Sequence, residues 1–501
     1  MWAIRVNGMA VTAPGLPLSV AHHEGRSIDL GRFLHPGFNR LEFEMESYWG
    51  DAELHIYVSP WDGTSVVLVI LVLSAVALTG EFFLLLFRIE MTLAESVLLL
   101  GGFLLRYLYF SGTPYFVRAY DWWGHEAYLD YVAQHLAVPN AEAGWENFQP
   151  PLYYGLLGGL TRLLQVTGQE RYGVWQAFSL MCSTGVLLAG AWIARMLFPC
   201  DVKGRLHLMA VIAGAPPLVF NASRVSNDVL LSLLEFVWLG WLLCFWTRCD
   251  RRSWIGLSVI TGLALLTKAN ALILVPISVA CLFFLSQIET RWKWRAATAM
   301  FVVVGAFAGW YYAGRVGCET GVDSFVVGNI HHLNPKGHID GVFARSFVFN
   351  PFKVVRYPFA EPWGARREYF LEYFFRSIFL GDSLGATYRW IARAYIVTAL
   401  LAVPVVVRGL WILLGRRTGC DVPMLATSAL IFGTQWLFVQ VAPYTSSEDF
   451  RFSALLLVPM AYFYFSGAMT LTGKWQHVAF VLLELLILNS AIYLLEVALE
   501  G

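Results

Sequence analysis

The most constraining feature of this sequence is a series of long apolar stretches. A helix needs about 20 predominantly apolar residues to cross a bilayer, because lipid cannot hydrogen-bond to exposed backbone groups. Windows of this kind occur about twelve times along the chain. They lie near residues 64–87, 91–110, 174–198, 206–221, 228–247, 254–268, 270–286, 296–313, 390–414, 422–442, 452–470 and 476–497. The sequence therefore predicts a polytopic α-helical membrane protein with about 12 transmembrane helices.

Composition agrees with this prediction and excludes other classes of protein. Hydrophobic residues make up 57% of the 501 residues and charged residues only 14%, whereas an ordinary soluble domain is about 25% charged. Lys and Arg number 35, and so do Asp and Glu. Without an excess of basic residues the chain has no field that would hold nucleic acid. Membrane lipid is the expected surrounding, and no nucleic-acid partner is expected.

The basic residues between the apolar windows set the orientation of the chain. Cytoplasmic loops of membrane proteins are enriched in Lys and Arg. Every second loop here is basic, through Lys203, Arg205, Arg248, Arg251, Arg252, Arg291, Lys293, Arg295, Arg408, Arg416, Arg417 and Lys474. These loops are predicted to be cytoplasmic. The N-terminus and the long loops 111–173 and 314–389 are then predicted to lie outside.

The N-terminal segment differs in kind from the rest. Residues 1–62 alternate apolar and polar side chains between Gly, Pro and Asn turns, which is typical of strands. We expect a small extracytoplasmic β-domain of sandwich type, followed by a transmembrane domain over 63–501. The stretch from Ile28 to Phe43 resembles the jelly-roll modules attached to many carbohydrate enzymes, which implies carbohydrate binding.

The first outer loop contains the first candidate for chemistry. From Asp121 to His135 the apolar residues recur at helical spacing, which predicts a helix lying in the membrane interface. Asp121 and His125 are four residues apart at the edge of the apolar stripe, so both are expected to face the membrane core. Two simpler interpretations remain open. Asp121 could cap the helix, and His125 could make an ordinary interfacial hydrogen bond.

A second interfacial helix is predicted directly after a double proline. Proline forbids helix at the residue before it and favours the first helical turn, so a helix should run from Pro151 to about Gln165. Its tyrosines could equally be ordinary interfacial residues. The polar and aromatic candidates of this segment are Glu146, Gln149, Tyr153 and Tyr154.

Several short motifs follow one another along the chain, all on the side that is predicted to be outside. An Asp in the first outer loop, Asp121, precedes an interfacial helix and the sequence PPLYY. RVSND, at 224–228, opens a crossing, and GLALLTKAN, at 262–270, forms a turn between two windows. Near the C-terminus DFRF, at 449–452, is followed by Pro459.

Together these motifs resemble the GT-C superfamily of membrane glycosyltransferases over about residues 91–470. The nearest likeness is to the protein mannosyltransferases and to the aminoarabinose and lipopolysaccharide-core sugar transferases. The resemblance implies a sugar donor carried on a polyprenyl phosphate, an acceptor hydroxyl on a glycan, lipid or protein, and transfer on the extracytoplasmic face. For a bacterial member it implies the inner membrane, with the active site facing the periplasm.

Two departures from the family pattern bear on chemistry. Many relatives have adjacent acidic residues in the first loop, whereas Trp122 follows Asp121 here, and Phe452 replaces the usual Tyr. Metal use varies within the superfamily, so the resemblance leaves a divalent cation open. We assign no metal ligand, because the neighbouring His331, His332 and His338 lie in a Gly- and Pro-containing stretch typical of a loop.

The residues divide into roles that the chemistry requires. Asp121 is the expected base for the acceptor hydroxyl, with Glu146 in reserve, and a single base opposite a leaving phosphate implies inversion at the anomeric carbon. The expected phosphate-binding cations are Arg224, Lys268 and Arg451. The expected substrate-binding residues are His125, Gln149, Tyr153, Tyr154, Asn227, Asp228 and Asp449. Alternatively, the cations snorkel or pair with Asp228 and Asp449.

Two other functions remain open at this point. A transporter or lipid-carrier flippase has a similar number of crossings and places ionisable residues within the bilayer, and Glu81, Glu235 and Glu484 lie within predicted crossings. A non-catalytic assembly subunit could use the β-domain to bind glycan. The clustering of polar motifs at one interface, and no evident internal repeat, favour the enzyme.

Overall fold

The computed structural model describes three short strands before residue 91 and, from there to residue 500, everything except 118, 120, 169, 318–340, 360–368, 382–388 and 418. The predicted crossing at 64–87, Glu81 and the three histidines at 331, 332 and 338 lie outside the described residues. So does most of the predicted 1–62 domain. The chain divides into two compact units, Met1–Ala75 with Gly501, and Val76–Glu500.

The described part of the first unit is one antiparallel sheet. Strand β1 (Ala3–Val6) lies between β2 (Met9–Ala10) and β3 (Leu41–Glu44). Ile4 pairs with Phe43 in the register of β1 and β3. Strands therefore form where the alternating pattern predicts them, and a complete sandwich stays a prediction.

The second unit is helical. In chain order its α-helices are α1 (Leu93–Gly112), α2 (Trp122–His135), α3 (Leu152–Leu164), α4 (Glu170–Leu197), α5 (Val202–Gly214), α6 (Pro216–Phe220), α7 (Asn227–Arg248), α8 (Arg251–Leu265), α9 (Leu274–Phe284), α10 (Thr290–Val304), α11 (Trp310–Gly317), α12 (Val342–Arg345), α13 (Pro351–Arg356), α14 (Phe370–Leu380), α15 (Arg389–Arg416), α16 (Asp421–Val441), α17 (Leu457–Met469) and α18 (Lys474–Glu500). Short 3-10 turns cover Ala141–Ala143, Ala269–Ile273, Thr445–Glu448 and Phe450–Leu456, and a π-helical turn at Gly305–Gly309 joins α10 to α11.

Eight helices among the described residues are long and apolar enough to cross a membrane, so the chain is an integral membrane protein. They are Leu93–Gly112, Glu170–Leu197, Asn227–Arg248, Thr290–Arg315, Arg389–Arg416, Asp421–Val441, Phe450–Met469 and Lys474–Leu499. Three other predicted windows, 206–221, 254–268 and 270–286, coincide with shorter helices. In the part of the chain that the structure describes, eight helices reach spanning length, and the number twelve stays a prediction.

The window at 206–221 is broken by Pro216 and Pro217, and a buried arginine repairs the break. Two prolines supply no N–H, so the carbonyls of Ile212 and Ala213, four residues earlier, lose their helical donors. Arg106 of α1 donates to these two carbonyls, at 3.1 and 2.8 Å. Its guanidinium is fully buried. A charge inside the apolar bundle is therefore used to satisfy backbone acceptors.

The long helices pack around α4 and α7, most of whose residues are buried. At one end of the bundle Glu95 accepts hydrogen bonds from Arg205, at 2.6 Å, and from Arg195, at 3.1 Å. Arg205 lies near the start of α5, in a stretch that the basic-residue pattern predicts to be cytoplasmic. The opposite ends of α4 and α7 meet helices α2 and α3, and the candidate site lies there.

Candidate active site

The site is built on two helices, α2 and α3, that pack against each other. Helix α2 ends at His135, and α3 begins directly after Pro151, as the sequence pattern predicts. Tyr128 and Tyr154 stack across the pair with ring centroids 3.7 Å apart. The hydroxyl of Tyr154 also hydrogen-bonds to Nδ1 of the buried His125, at 2.7 Å. His125 therefore makes a buried contact between helices, and not only a surface hydrogen bond.

Asp121 does not cap α2 with its side chain. Its backbone is left-handed, with φ of 57°, and no cap hydrogen bond is formed by its carboxylate. Asp is one of the few residue types besides Gly that adopt this conformation with some frequency. The carboxylate instead accepts a hydrogen bond from the indole of Trp145, at 2.9 Å. The capping alternative is therefore wrong, and the carboxylate lies against the loop that carries Glu146.

Glu146 is buried against α2. A Cβ atom at Gly124 would lie 2.8 Å from its Cγ atom, so only a glycine lets the loop approach this closely. Burial, followed by the charge of Asp121, raises the pKa of Glu146 to about 8. Among the described residues its Oε2 atom has no hydrogen-bond partner. Glu146 is thus a mostly protonated acid at neutral pH, with an oxygen left for a ligand.

The loop that carries Glu146 is held by the last turn of α10–α11. Arg315 donates to the carbonyls of Pro139 and Asn147, at 2.9 and 3.0 Å. The hydroxyl of Tyr311 donates to the carbonyl of Phe148, at 2.6 Å. Tyr311 and Arg315 are not among the residues proposed from the sequence. The one sequence signal for this pair is a basic residue, Arg315, at the end of a predicted crossing.

Gln149 and Asn227 connect this loop to the start of α7. Nδ2 of Asn227 donates to Oε1 of Gln149, at 3.1 Å, and to the carbonyl of Thr267, at 3.3 Å. Both neighbours are acceptors, so this orientation of the amide is fixed by its hydrogen bonds. Its Oδ1 atom is buried and has no donor among the described residues. Two predicted substrate-binding residues are therefore in contact, and one presents an unsatisfied acceptor.

Lys268 lies on the turn between α8 and α9. The turn is fixed by the N–H of Leu152, which donates to the carbonyl of Leu266 at 3.0 Å. The ammonium of Lys268 pairs with Asp228, the second residue of α7. The pairing alternative is thus confirmed for this cation. The pair is largely buried, with 12% and 8% of the two side chains exposed.

Arg451 and Asp449 form the last part of the site. Asp449 caps the 3-10 turn Phe450–Leu456 by accepting from the N–H of Arg451, at 2.9 Å. The guanidinium Nε lies 3.9 Å from the other carboxylate oxygen. The ring of Phe452 contacts both cations, with Nζ of Lys268 5.0 Å and Cζ of Arg451 4.8 Å from its centroid. Lys268 and Arg451, which are 183 positions apart in the sequence, therefore both contact the ring of Phe452.

The positive charges of Lys268 and Arg451 act on His125 of helix α2. Burial, then the positive charge of Lys268 and that of Arg451, lowers the pKa of His125 to about 3. Asp228 acts in the opposite direction. His125 is therefore a neutral imidazole at ordinary pH, and it lies within electrostatic range of Lys268, Asp228 and Arg451.

Two of the residues predicted for the site, Arg224 and Tyr153, are in contact with aromatic rings. The guanidinium of Arg224 lies 6.0 Å from the ring centroid of Phe220, and its backbone carbonyl accepts from Ser179, at 2.5 Å. Tyr153 is buried in the packing between α3 and α4, with its ring 6.0 Å from that of Phe178. A phosphate-binding role for Arg224 and a substrate contact for Tyr153 stay predictions.

No group of three or more His, Cys, Asp or Glu residues in the described part of the chain is arranged to hold a metal ion. The acids of the site are occupied differently. Asp228 and Asp449 each pair with a cation, and Asp121 accepts from Trp145.

Comparison with known proteins gives likenesses among solved structures and no sequence match. No protein-family model matches the chain, and no curated protein sequence matches it. Among solved structures, the chain is similar to the archaeal oligosaccharyltransferase AglB from Archaeoglobus fulgidus, in complex with an inhibitory peptide and a dolichol-phosphate. The TM-score is 0.47 at 11% sequence identity, over 81% of this chain and 56% of AglB. The chain thus spans little more than half of that protein, and we base function on the geometry of the site and not on this likeness.

Proposed function

We propose that this protein is a membrane glycosyltransferase that moves a sugar from a polyprenyl-phosphate donor to an acceptor hydroxyl. The observation that supports the proposal is a buried acid, Glu146, that lies within electrostatic range of both Asp121 and Lys268. Lys268 and Arg451 in turn contact the same ring, that of Phe452. Acid–base chemistry on an anionic lipid substrate requires this combination of groups.

The unsatisfied acceptors support a hydroxylated ligand. Buried polar atoms are nearly always hydrogen-bonded, and leaving one without a partner costs about 1–3 kcal/mol. Glu146 and Asn227 each present such an atom in the part of the chain that is described. A sugar carries several hydroxyl donors and would satisfy both.

In the proposed reaction the acceptor oxygen attacks the anomeric carbon of the donor sugar. The new C–O bond forms as the bond from that carbon to the phosphate oxygen breaks, and the bonding electron pair leaves with the phosphate. The acceptor proton passes to the Asp121 carboxylate. Lys268 and Arg451 stabilise the charge that develops on the phosphate, so no acid is needed for the leaving group. Attack opposite the phosphate inverts the anomeric carbon.

The first experiment separates the enzyme from its alternatives. The purified protein is reconstituted in liposomes with a panel of short-chain prenyl-phosphate hexoses and pentoses and with unlabelled membrane extract as a source of acceptor. We expect release of prenyl phosphate from at least one donor, loss of release in Asp121→Asn, and normal release in Asp130→Asn. Asp130 is the matched control because it lies on the same helix and pairs with Arg171. Equal release by both variants would contradict the proposal.

One observation favours transport as a second candidate. Glu235 is buried on α7 two turns beyond Asp228, deeper in the bundle, and intramembrane acids are typical of ion-coupled transporters. A transporter moves the lipid without breaking the sugar–phosphate bond. Movement of a fluorescent prenyl-phosphate sugar across the liposome with no release of prenyl phosphate would therefore favour the transporter.

A further inference from the structure

Phe452 contacts both cations of the site. It lies in the 3-10 turn that follows Asp449, and its ring is partly buried. Nζ of Lys268 lies 5.0 Å and Cζ of Arg451 4.8 Å from the ring centroid. The edge of the ring packs on Phe438, with centroids 6.0 Å apart. One aromatic side chain thus contacts two positive charges, of which one comes from a distant segment of the chain.

An aromatic ring in contact with side chains of like charge differs in its effect from a carboxylate. Two like charges repel each other, and the commonest way to hold them together is an intervening carboxylate. The negative face of an aromatic ring also attracts a cation. Unlike a carboxylate, the ring adds no negative charge and takes none of the N–H donors of the cation. Lys268 and Arg451 each pair with a carboxylate as well, Asp228 and Asp449 respectively, and the ring of Phe452 adds an uncharged contact that both cations share.

We infer that Phe452 is a positioning residue, which holds Lys268 and Arg451 at the spacing that lets both bind one phosphate. This inference rests on the proposed function, because it assigns the phosphate of the lipid donor to these two cations. It adds a residue that contacts no reacting atom and acts through the charged side chains. The property that matters is the electrostatic character of the ring, and size alone would not replace it.

The test measures phosphate preference in the full-length protein in nanodiscs. Affinities for farnesyl phosphate and for farnesol are compared, so that the ratio of the two dissociation constants isolates the phosphate from the lipid tail. In wild type we expect a clear preference for farnesyl phosphate. In Phe452→Leu we expect this preference to fall about tenfold, as for the loss of two cation–π contacts. Phe452→Tyr and Phe452→Trp should keep it within about threefold.

Two controls separate positioning from packing. Phe438→Leu removes the ring that packs on Phe452 but contacts neither cation by the distances above, and it should leave the ratio unchanged. Stepwise fluorination of Phe452 weakens the negative face of the ring at nearly constant size, so the ratio should fall with each added fluorine.

The outcomes are distinct. A wild-type ratio in Phe452→Leu, or no trend with fluorination, would overturn the inference while leaving the proposed function in place. If wild type itself binds farnesyl phosphate no better than farnesol, the donor class is wrong, and the inference fails with it.

Discussion

The sharpest prediction concerns how Asp121 and Glu146 divide their roles. With a pKa of about 8, about one Glu146 in ten is ionised at pH 7 and about nine in ten at pH 9. Asp121 is therefore the ionised base at neutral pH, and Glu146 is a neutral neighbour. We expect Asp121→Asn to lower turnover by about 10²- to 10⁴-fold, which is the usual contribution of a general base. Glu146→Gln keeps a neutral hydrogen-bonding group of the same shape, and should stay within about threefold at pH 7.

The same assignment fixes the sign of the pH dependence. The neutral form of Glu146 is favoured in the folded protein, so activity that needs this form is present below pH 8 and is lost as pH rises through it. The ionised form of Glu146 places a second negative charge beside that of Asp121. If the ionised form is inactive, the active fraction falls from about nine in ten at pH 7 to about one in ten at pH 9, so we expect up to about a tenfold fall in turnover at subsaturating donor between these pH values.

The assay is the release of prenyl phosphate in liposomes at several pH values, for wild type, Glu146→Gln and the control Asp130→Asn. The alkaline fall should be present in wild type and in Asp130→Asn, and absent in Glu146→Gln. If Glu146→Gln keeps the alkaline fall, the pKa assignment is refuted. If Glu146→Gln is as inactive at pH 7 as Asp121→Asn, then Glu146 is itself required for catalysis and the division of roles is wrong.

Three further predictions follow from contacts described above. Lys268→Met should raise the KM for the lipid donor about 10- to 100-fold. Lys268→Arg keeps the charge beside Asp228 and should change this KM less than tenfold. Equal KM values for the two variants would argue against phosphate binding by Lys268. Arg106→Met leaves two buried carbonyls without donors, at about 1–3 kcal/mol each, so the thermal unfolding midpoint in detergent should fall markedly, and an unchanged midpoint would show that another donor replaces the guanidinium. Gly409→Leu should also lower that midpoint, because a Cβ atom there would lie 1.8 Å from the carbonyl oxygen of Phe463 on α17, whereas Gly415→Leu on the same helix, with nothing within 4 Å, should have little effect.

Local features of the chain were predictable because they depend on near neighbours. Apolar periodicity places α2 from Trp122 to His135, and the double proline places the start of α3, in both cases as the structure has them. The pairing of cations with nearby acids, weighed as an alternative, is confirmed for Lys268 with Asp228 and for Arg451 with Asp449.

Other features depend on contacts between distant segments. The window at 206–221 is apolar enough to be read as one crossing, but the structure divides it at its two prolines into α5 and α6. Only packing reveals that Arg106, from α1, supplies the missing donors. Likewise, the capping alternative for Asp121 was consistent with its position, but in the structure the carboxylate accepts from the indole of Trp145 and makes no cap hydrogen bond.

The membrane-spanning character of the chain could thus be predicted from the sequence, and the candidate site residues, with their location on the outer side, stay predictions. Prediction from the sequence was possible because hydrophobicity, helical spacing and the effect of proline act within a few residues. The tertiary structure alone decided that Glu146 is buried beside Asp121, that Asn227 meets Gln149, and that Phe452 joins Lys268 to Arg451. Burial and charge proximity are properties of residues far apart in the chain, and no local pattern encodes them.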